Sequence, residues 1–436
     1  MATGHMLCRW LSIPSPLTAA RRLTITTKAL TVPPPPSTSI RQTAARAAAT
    51  VTTTTTSSGD AKRRRKKEKE RKKAAEAAAA KSEKEKRRTR SDKEHDSSLE
   101  FHSSNKDHVP VMLREVVDVF ASMPLRSFVD CTLGAAGHSS AIIKAHPQLE
   151  QYIGMDVDPE AHAKARAHID ALLLSDSHSH LKTHTLLKNF RNVKSVIGEV
   201  DANLLQSGVD AILMDLGMSS MQVNNPERGF SVMADGPLDM RMDPQASLRA
   251  ADILNSWPDA EVGRVLRDYG EESNWRLLQN KIVLARLKGG IHSTTELIDL
   301  IRSMTHGARG GRQGWIKTAT RVFQALRIAV NDELSILEKA LKDCFACLAP
   351  GGRFAVISFH SLEDRIVKQT FLSIIGTGEV PKDDCAGEAK ETWVKQIVRG
   401  PNGSILTKRP VTPSEEEERL NRRCRSAKLR VIEKSR

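Results

Sequence analysis

Three short apolar runs, each ending in or followed at once by an acidic residue, constrain this chain more than any other feature. They are Ser127 to Asp130, Tyr152 to Met155 and Val209 to Met214. Helical patterns separate them, and that alternation predicts buried parallel strands in an α/β sheet. A fourth run, Gly352 to Phe359, reads as a later strand entered through the Pro350-Gly351-Gly352 turn. From about Met240 to Thr318 the strand signals stop. Val262, Val265, Leu266 and Tyr269 repeat at helical spacing behind Ser256-Trp-Pro258, read as a cap followed by Pro in the first turn. Ser293 and Glu296 form a capping-box pattern. The expectation is a helical subdomain over residues 240–318 inserted between two parts of an α/β domain, 105–239 and 319–436. A single long helix, about Arg321 to Leu348, is expected to return the chain to the sheet.

Charge decides what precedes this body. The 436 residues carry +15, but residues 1–59 hold six basic side chains and no acid, and residues 61–90 hold sixteen basic against five acidic. The remaining 346 residues therefore sum to about −1, so any basic groove on the folded part must be local. Residues 1–59, with Pro33 to Pro36 and Thr52 to Thr56, have the composition of a transit peptide; the Ser/Thr/Pro bias points to a chloroplast, with the mitochondrion as the alternative. Residues 60–104 read as a solvated basic linker, with a nuclear signal or RNA tether as other uses. The six cysteines have no repeating spacing and indicate a reducing compartment; Cys344 and Cys347 read as core residues. No metal site and no membrane span is expected.

The chemistry begins where the first strand runs into Asp130-Cys-Thr-Leu-Gly134-Ala135-Ala136-Gly137-His138 and then a helix. Glycines at such a turn let the backbone approach a ligand and aim helix amides at it. Asp156, twenty-two residues after Gly134, stands where a carboxylate accepts ribose hydroxyls. The spacing G-x-x-G, rather than G-x-G-x-x-G, favours S-adenosylmethionine over a nicotinamide. The third strand delivers Asp215 to Ser220 to the carboxyl edge of the sheet, without the Pro-Pro-aromatic motif of many nucleobase amino-methyltransferases and without a cysteine nucleophile.

Seven motifs, in order, resemble the RsmH/MraW family: His108 to Glu115, Gly134 to His138, Asp215 to Ser220, Arg228 to Val232, Asp235 to Asp243, Phe323 to Glu333 and Ser358 to Val367. The resemblance runs from about His108 to Lys434. It implies a Rossmann-like class I S-adenosylmethionine-dependent methyltransferase with an inserted helical subdomain, acting on N4 of a cytidine in the decoding region of small-subunit ribosomal RNA. It implies cofactor contacts at Ala136, Gly137, His138, Asp156, Phe190, Asp215 and Gln222. The chain departs from the family pattern at Ala136, commonly a second Gly, at Ile316-Lys317, where His-Pro is usual, and at Asn421 to Arg425. Asp215, Ser358 and His360 are the catalytic candidates. Asp215, or a carbonyl of its loop, would accept an amine hydrogen, while Ser358 to His360 would line the base pocket, with Phe230, Trp315 or Phe359 as its wall. The expected partner is small-subunit ribosomal RNA, free or in an assembling subunit, and a homodimer is left open. A non-catalytic RNA-binding assembly factor is the alternative, though it would be expected to have broken the loop or Asp215.

Overall fold

The computed structural model describes residues 89–91, 110–174, 180–305, 314–376, 391, 393–394 and 396–436. The transit-peptide region, nearly all of the linker, His108, Cys8 and Cys385 lie outside the described residues. Four parallel strands form the centre of one sheet: β1 (Ser127–Asp130), β2 (Gln151–Asp156), β4 (Val209–Asp215) and β5 (Leu348–Ser358). The complete order is β3-β2-β1-β4-β5-β8-β7-β6, with β3 (Lys182–Leu187) parallel at one edge and β6 (Val398–Arg399), β7 (Gly403–Ile405) and β8 (Lys428–Lys434) antiparallel beyond β5.

Alternation along the strands builds a core on each face. Phe128, Tyr152, Leu213 and Ile357 pack beneath α1 (Leu113–Ala121), α2 (Gly137–Ala145) and α3 (Pro159–Leu173). Val129, Ile153, Met214 and Val356 pack against α4 (Val193–Val200), preceding α5 (Ala202–Ser207), and against two later helices, α12 (Glu333–Ala346) and α13 (Ser361–Ile375). A third core joins α7 (Ala250–Ser256), α8 (Asp259–Asp268), α9 (Trp275–Arg286), α10 (Thr294–Thr305) and α11 (Gly314–Asn331), which follow the short α6 (Ser220–Asn224). Its apolar residues begin at Phe230 and end at Val330.

The folded chain departs from several sequence expectations. The return helix is two helices, α11 and α12, broken at Asp332, whose φ of 48° is left-handed and cannot continue an α-helix. Ser256 ends α7, and Pro258 itself is the N-cap of α8, so the cap sits two residues later than read. The box of Ser293 and Glu296 forms, with each backbone N–H 3.2 Å from the other's side-chain oxygen. The Pro-Gly-Gly segment does not precede β5 but bulges within it: Val209 pairs with Leu348 and Ala211 already with Arg353. Strand β3 had no apolar signature because it lies at the edge and is half-buried.

The basic C-terminal segment joins the sheet. Residues 428–434 are a sheet strand, in which Lys428 and Arg430 bind Asp364 at 3.0 and 2.6 Å, and Lys434 donates to the carbonyl of Leu348 at 2.6 Å. The acidic run before it opens α14 (Glu415–Leu420), in which Glu417 is buried and accepts the backbone N–H of Met112 at 2.7 Å. Cys344 and Cys347 are buried core thiols, Cys344 lying 3.9 Å from Cys131. No helix among the described residues is long and apolar enough to cross a membrane.

Candidate active site

The carboxyl ends of β1, β2 and β4 bring three aspartates together. Asp130 is buried beneath the loop it opens, accepting the Thr132 N–H at 3.0 Å and the Ser139 hydroxyl, which in turn accepts from Tyr152. Burial pushes its carboxyl up to about 6. Asp156 shapes the loop from the next strand: one carboxylate oxygen accepts Gly134 N–H at 2.8 Å and the other Asp158 N–H at 2.9 Å. Burial raises its affinity for a proton as well.

The loop itself departs from the idea that both glycines face a ligand. Gly134 has φ +52°, and a Cβ there would meet nothing nearer than the Thr132 carbonyl at 3.9 Å, so that turn borders open space. At Gly137, however, a Cβ would stand 2.4 Å from Cγ of Pro110. That glycine admits the segment before α1. Ala136 takes φ 64° as the N-cap of α2 and gives the helix no side-chain cap, leaving the first-turn amides of Gly137 and His138 directed at the loop. The His138 ring is buried, with Nε2 2.9 Å from the Val111 carbonyl and Nδ1 3.8 Å from Asp215.

Asp215 ends β4. Its N–H donates to Thr132 Oγ1 at 2.6 Å, while its buried Oδ1 has no hydrogen-bond partner among the described residues. Burial, then the nearby charges of Asp130, Glu363 and Glu417, push its carboxyl well above the usual carboxylate range. So many buried acids around one loop suit a ligand that carries positive charge, and the sulfonium and ammonium of S-adenosylmethionine meet that requirement.

Gln222 is buried but not free. Its amide donates to Asp158 at 3.0 Å and accepts the Ser219 N–H at 3.0 Å, so it acts on the site through Asp158. Arg228, which sequence reasoning did not single out, donates to the same Asp158 oxygen at 2.7 Å and to the carbonyls of Arg241 and Met242 at 3.0 Å. Its only signal was its place at the head of a motif. Phe190 lies half-buried just past β3, against the core that contains Val193 and Ile197.

Ser358 ends β5 beside Asp215, buried and with its hydroxyl without a partner among the described residues. His360 caps α13: Nδ1 accepts the Glu363 N–H at 3.4 Å, and Nε2 lies 3.1 Å from Glu363 Oε1. Burial alone would raise Glu363, but His360 and the charge of Arg327 outweigh it and hold the carboxyl below its ordinary value. Glu333, His360 and Glu363 are close enough to hold a metal ion. Arg327 already supplies a cation there, bonding Glu333 at 2.8 and 2.9 Å, and an Nδ1 that accepts the cap hydrogen bond leaves the ring proton on Nε2. That is an arginine-centred ion cluster. Of the aromatic candidates, Phe359 lies against the Asp215 loop, 3.6 Å from where a Cβ on Gly217 would stand. Phe230 is buried in the helical core, and Trp315 packs on that core under Arg302.

A parallel sheet flanked by helices, extended past β5 by a reversed strand and with acids closing the ends of β1, β2 and β4 around a glycine turn, defines a Rossmann-like S-adenosylmethionine-dependent methyltransferase. Residues 105–435 match the MraW methylase family. "Ribosomal RNA small subunit methyltransferase H" of Heliobacterium mobile is 42% identical over 338 residues, 77% of this chain and 100% of the relative. Proteins of that name from Paenibacillus sp. and Chlorobium luteolum are 42% and 41% identical, over 75% and 76% of this chain and 99% and 98% of their own lengths. The chain belongs to the MraW methylase family.

Proposed function

We propose that this protein transfers a methyl group from S-adenosylmethionine to N4 of a cytidine in the decoding region of small-subunit ribosomal RNA, inside an organelle, the chloroplast ahead of the mitochondrion. The observation that carries the reading is the buried Oδ1 of Asp215 without a hydrogen-bond partner, at the sheet edge beside the cofactor loop. Three relatives with the same full-length match are named for small-subunit ribosomal RNA. The acid-free composition of residues 1–59 supports the organelle.

Bound S-adenosylmethionine supplies an electrophilic methyl group on a sulfonium. Asp156 has a second lone pair on each oxygen for ribose hydroxyls, and the Gly137 and His138 amides lie at the same turn. Asp215 accepts an N–H of the cytosine amine and aligns it with the methyl group. Methylation of the amine would leave its nitrogen acidic. A carboxylate whose proton affinity is raised by burial is suited to take that proton. Ser358 and Phe359 border the base from the neighbouring strand end.

The test is nucleoside mass spectrometry of small-subunit ribosomal RNA from both organelles, with the gene intact and disrupted. Loss of N4-methylcytidine from one organelle's RNA is the expected result. Unchanged levels in both would overturn the reading and leave the assembly-factor alternative.

A further inference from the structure

With about −1 on the folded body, an RNA substrate must meet a local cluster of positive charge. The sheet topology puts one at the rim of the site. Strand β8 runs antiparallel to β5, and its first residue, Lys428, pairs with Ser358 at the end of β5. The 3-10 turn Arg422–Ser426 immediately precedes it, so Arg422, Arg423 and Arg425 stand at the same end of the sheet. All three are exposed, and among the described residues no carboxylate forms a salt bridge with them. Arg423 reaches α6, which carries Gln222: it donates to Oδ1 of Asn224, the last residue of that helix, at 2.9 Å.

Four glutamates precede these arginines and would weaken such a surface if left alone. Glu417 is turned inward onto Met112, and Glu416 is exposed. Glu415 and Glu418 are both bound by one side chain, Arg90, through its two terminal nitrogens. Arg90 is held in place because Ser91 N–H donates to the Thr412 carbonyl and Thr412 N–H to the Thr89 carbonyl, each at 2.8 Å. Residues 89–91 lie ahead of the family match, which starts at 105. Part of the charge balance at this rim therefore comes from a segment outside the family's shared body.

Resting on the RNA substrate proposed above, we infer that Arg422, Arg423 and Arg425 form a track for the phosphates that flank the target cytidine, with Arg90 shielding it from Glu415 and Glu418. Phosphate contacts position a strand without reading its sequence. The track leaves recognition of the base to the residues proposed above to border it, Asp215, Ser358 and Phe359.

Affinity of the full chain for a cytidine-containing single-stranded oligoribonucleotide, measured by fluorescence anisotropy across KCl concentration, tests this without turnover. The Arg422→Gln/Arg425→Gln variant is expected to lower the slope of log affinity against log salt by about 1.4, at roughly 0.7 per single-strand phosphate contact. Its KM for RNA rises while kcat at saturating RNA holds. Arg90→Gln is expected to weaken binding severalfold at low salt. S-adenosylhomocysteine affinity, unchanged in both variants, reports an intact fold. A wild-type slope in the double variant overturns the track, and wild-type affinity in Arg90→Gln overturns the shielding. Failure of the wild-type protein to methylate cytidine would instead count against the proposed function.

Discussion

Nδ1 of His138 lies 3.8 Å from Oδ2 of Asp215, while Nε2 of the same ring is tied to the Val111 carbonyl. The segment before α1, the Gly134–His138 loop and the end of β4 thus meet at one imidazole. The imidazole flanks Asp215 on its Oδ2 side, while the buried Oδ1 has no hydrogen-bond partner among the described residues.

Replacing Asp215 with Asn keeps the shape of the site but removes the acceptor charge. Turnover in single-turnover assays should fall by about 10²-fold to 10⁴-fold. S-adenosylhomocysteine affinity should stay within a few-fold of wild type. Full turnover in Asp215→Asn would remove the carboxylate from the mechanism.

Arg228→Gln should be among the costlier substitutions near the site. Asp158 is buried, and losing its cation leaves a carboxylate supported by Gln222 and the Glu160 N–H alone. A loss of about 3 kcal/mol in urea unfolding is expected. Arg228→Lys should recover only part, since one ammonium cannot reproduce the planar fork that also reaches the carbonyls of Arg241 and Met242.

Two glycines should respond to alanine through different readouts. At Gly229, φ is +71° and a Cβ would lie 2.2 Å from the Pro237 carbonyl, so the fold must shift, with a drop of more than about 2 kcal/mol in unfolding free energy. Gly134 has space for the methyl group, and alanine there costs only the left-handed backbone, about 1–2 kcal/mol. The Gly134→Ala effect should appear instead in S-adenosylhomocysteine titration, as weakening of about tenfold or more. Wild-type cofactor affinity in that variant would mean the open space at this turn is not where the ligand passes.

Asp130 makes cofactor-free stability depend on pH in a defined direction. Its carboxyl sits at about 6 against an ordinary 3.8, so the folded protein keeps a proton that the unfolded chain releases. Its contribution is complete below pH 3.8 and is lost as pH rises through about 6, a change of about 3 kcal/mol at roughly 1.4 kcal/mol per pH unit. Asp156 and Asp215 act in the same sense. The difference between wild type and Asp130→Asn isolates one group: from about pH 4 to 7 it should move in the variant's favour by up to that amount. A pH-independent difference would show that Asp130 does not titrate in this window.

The parallel strands β1, β2, β4 and β5 were legible because strands buried on both faces read as apolar runs. Strand β3, half-buried at an edge, and β8, whose Lys428, Arg430 and Lys434 hide their alternation behind charge, were not. The same limit applied at the site. Asp156 and Asp215 could be placed from strand ends, because topology alone puts them at the sheet's carboxyl edge. Arg228 could not, since its partner Asp158 is seventy residues away and only the folded chain brings the two within 2.7 Å. The break at Asp332 escaped because the helical periodicity runs on through it, and a single left-handed residue leaves no trace in hydrophobic spacing.

Because β8 lies between β5 and β7, the edge of β5 finds its partner only after residue 434 has been synthesised. Until then a growing chain on the ribosome carries a long apolar strand with one side unpaired, beside a hairpin that has nothing to join. Such an edge is a template for pairing with other chains. Closure of the sheet is therefore a late event in the life of each molecule, and the interval before it is when a chaperone would be needed most.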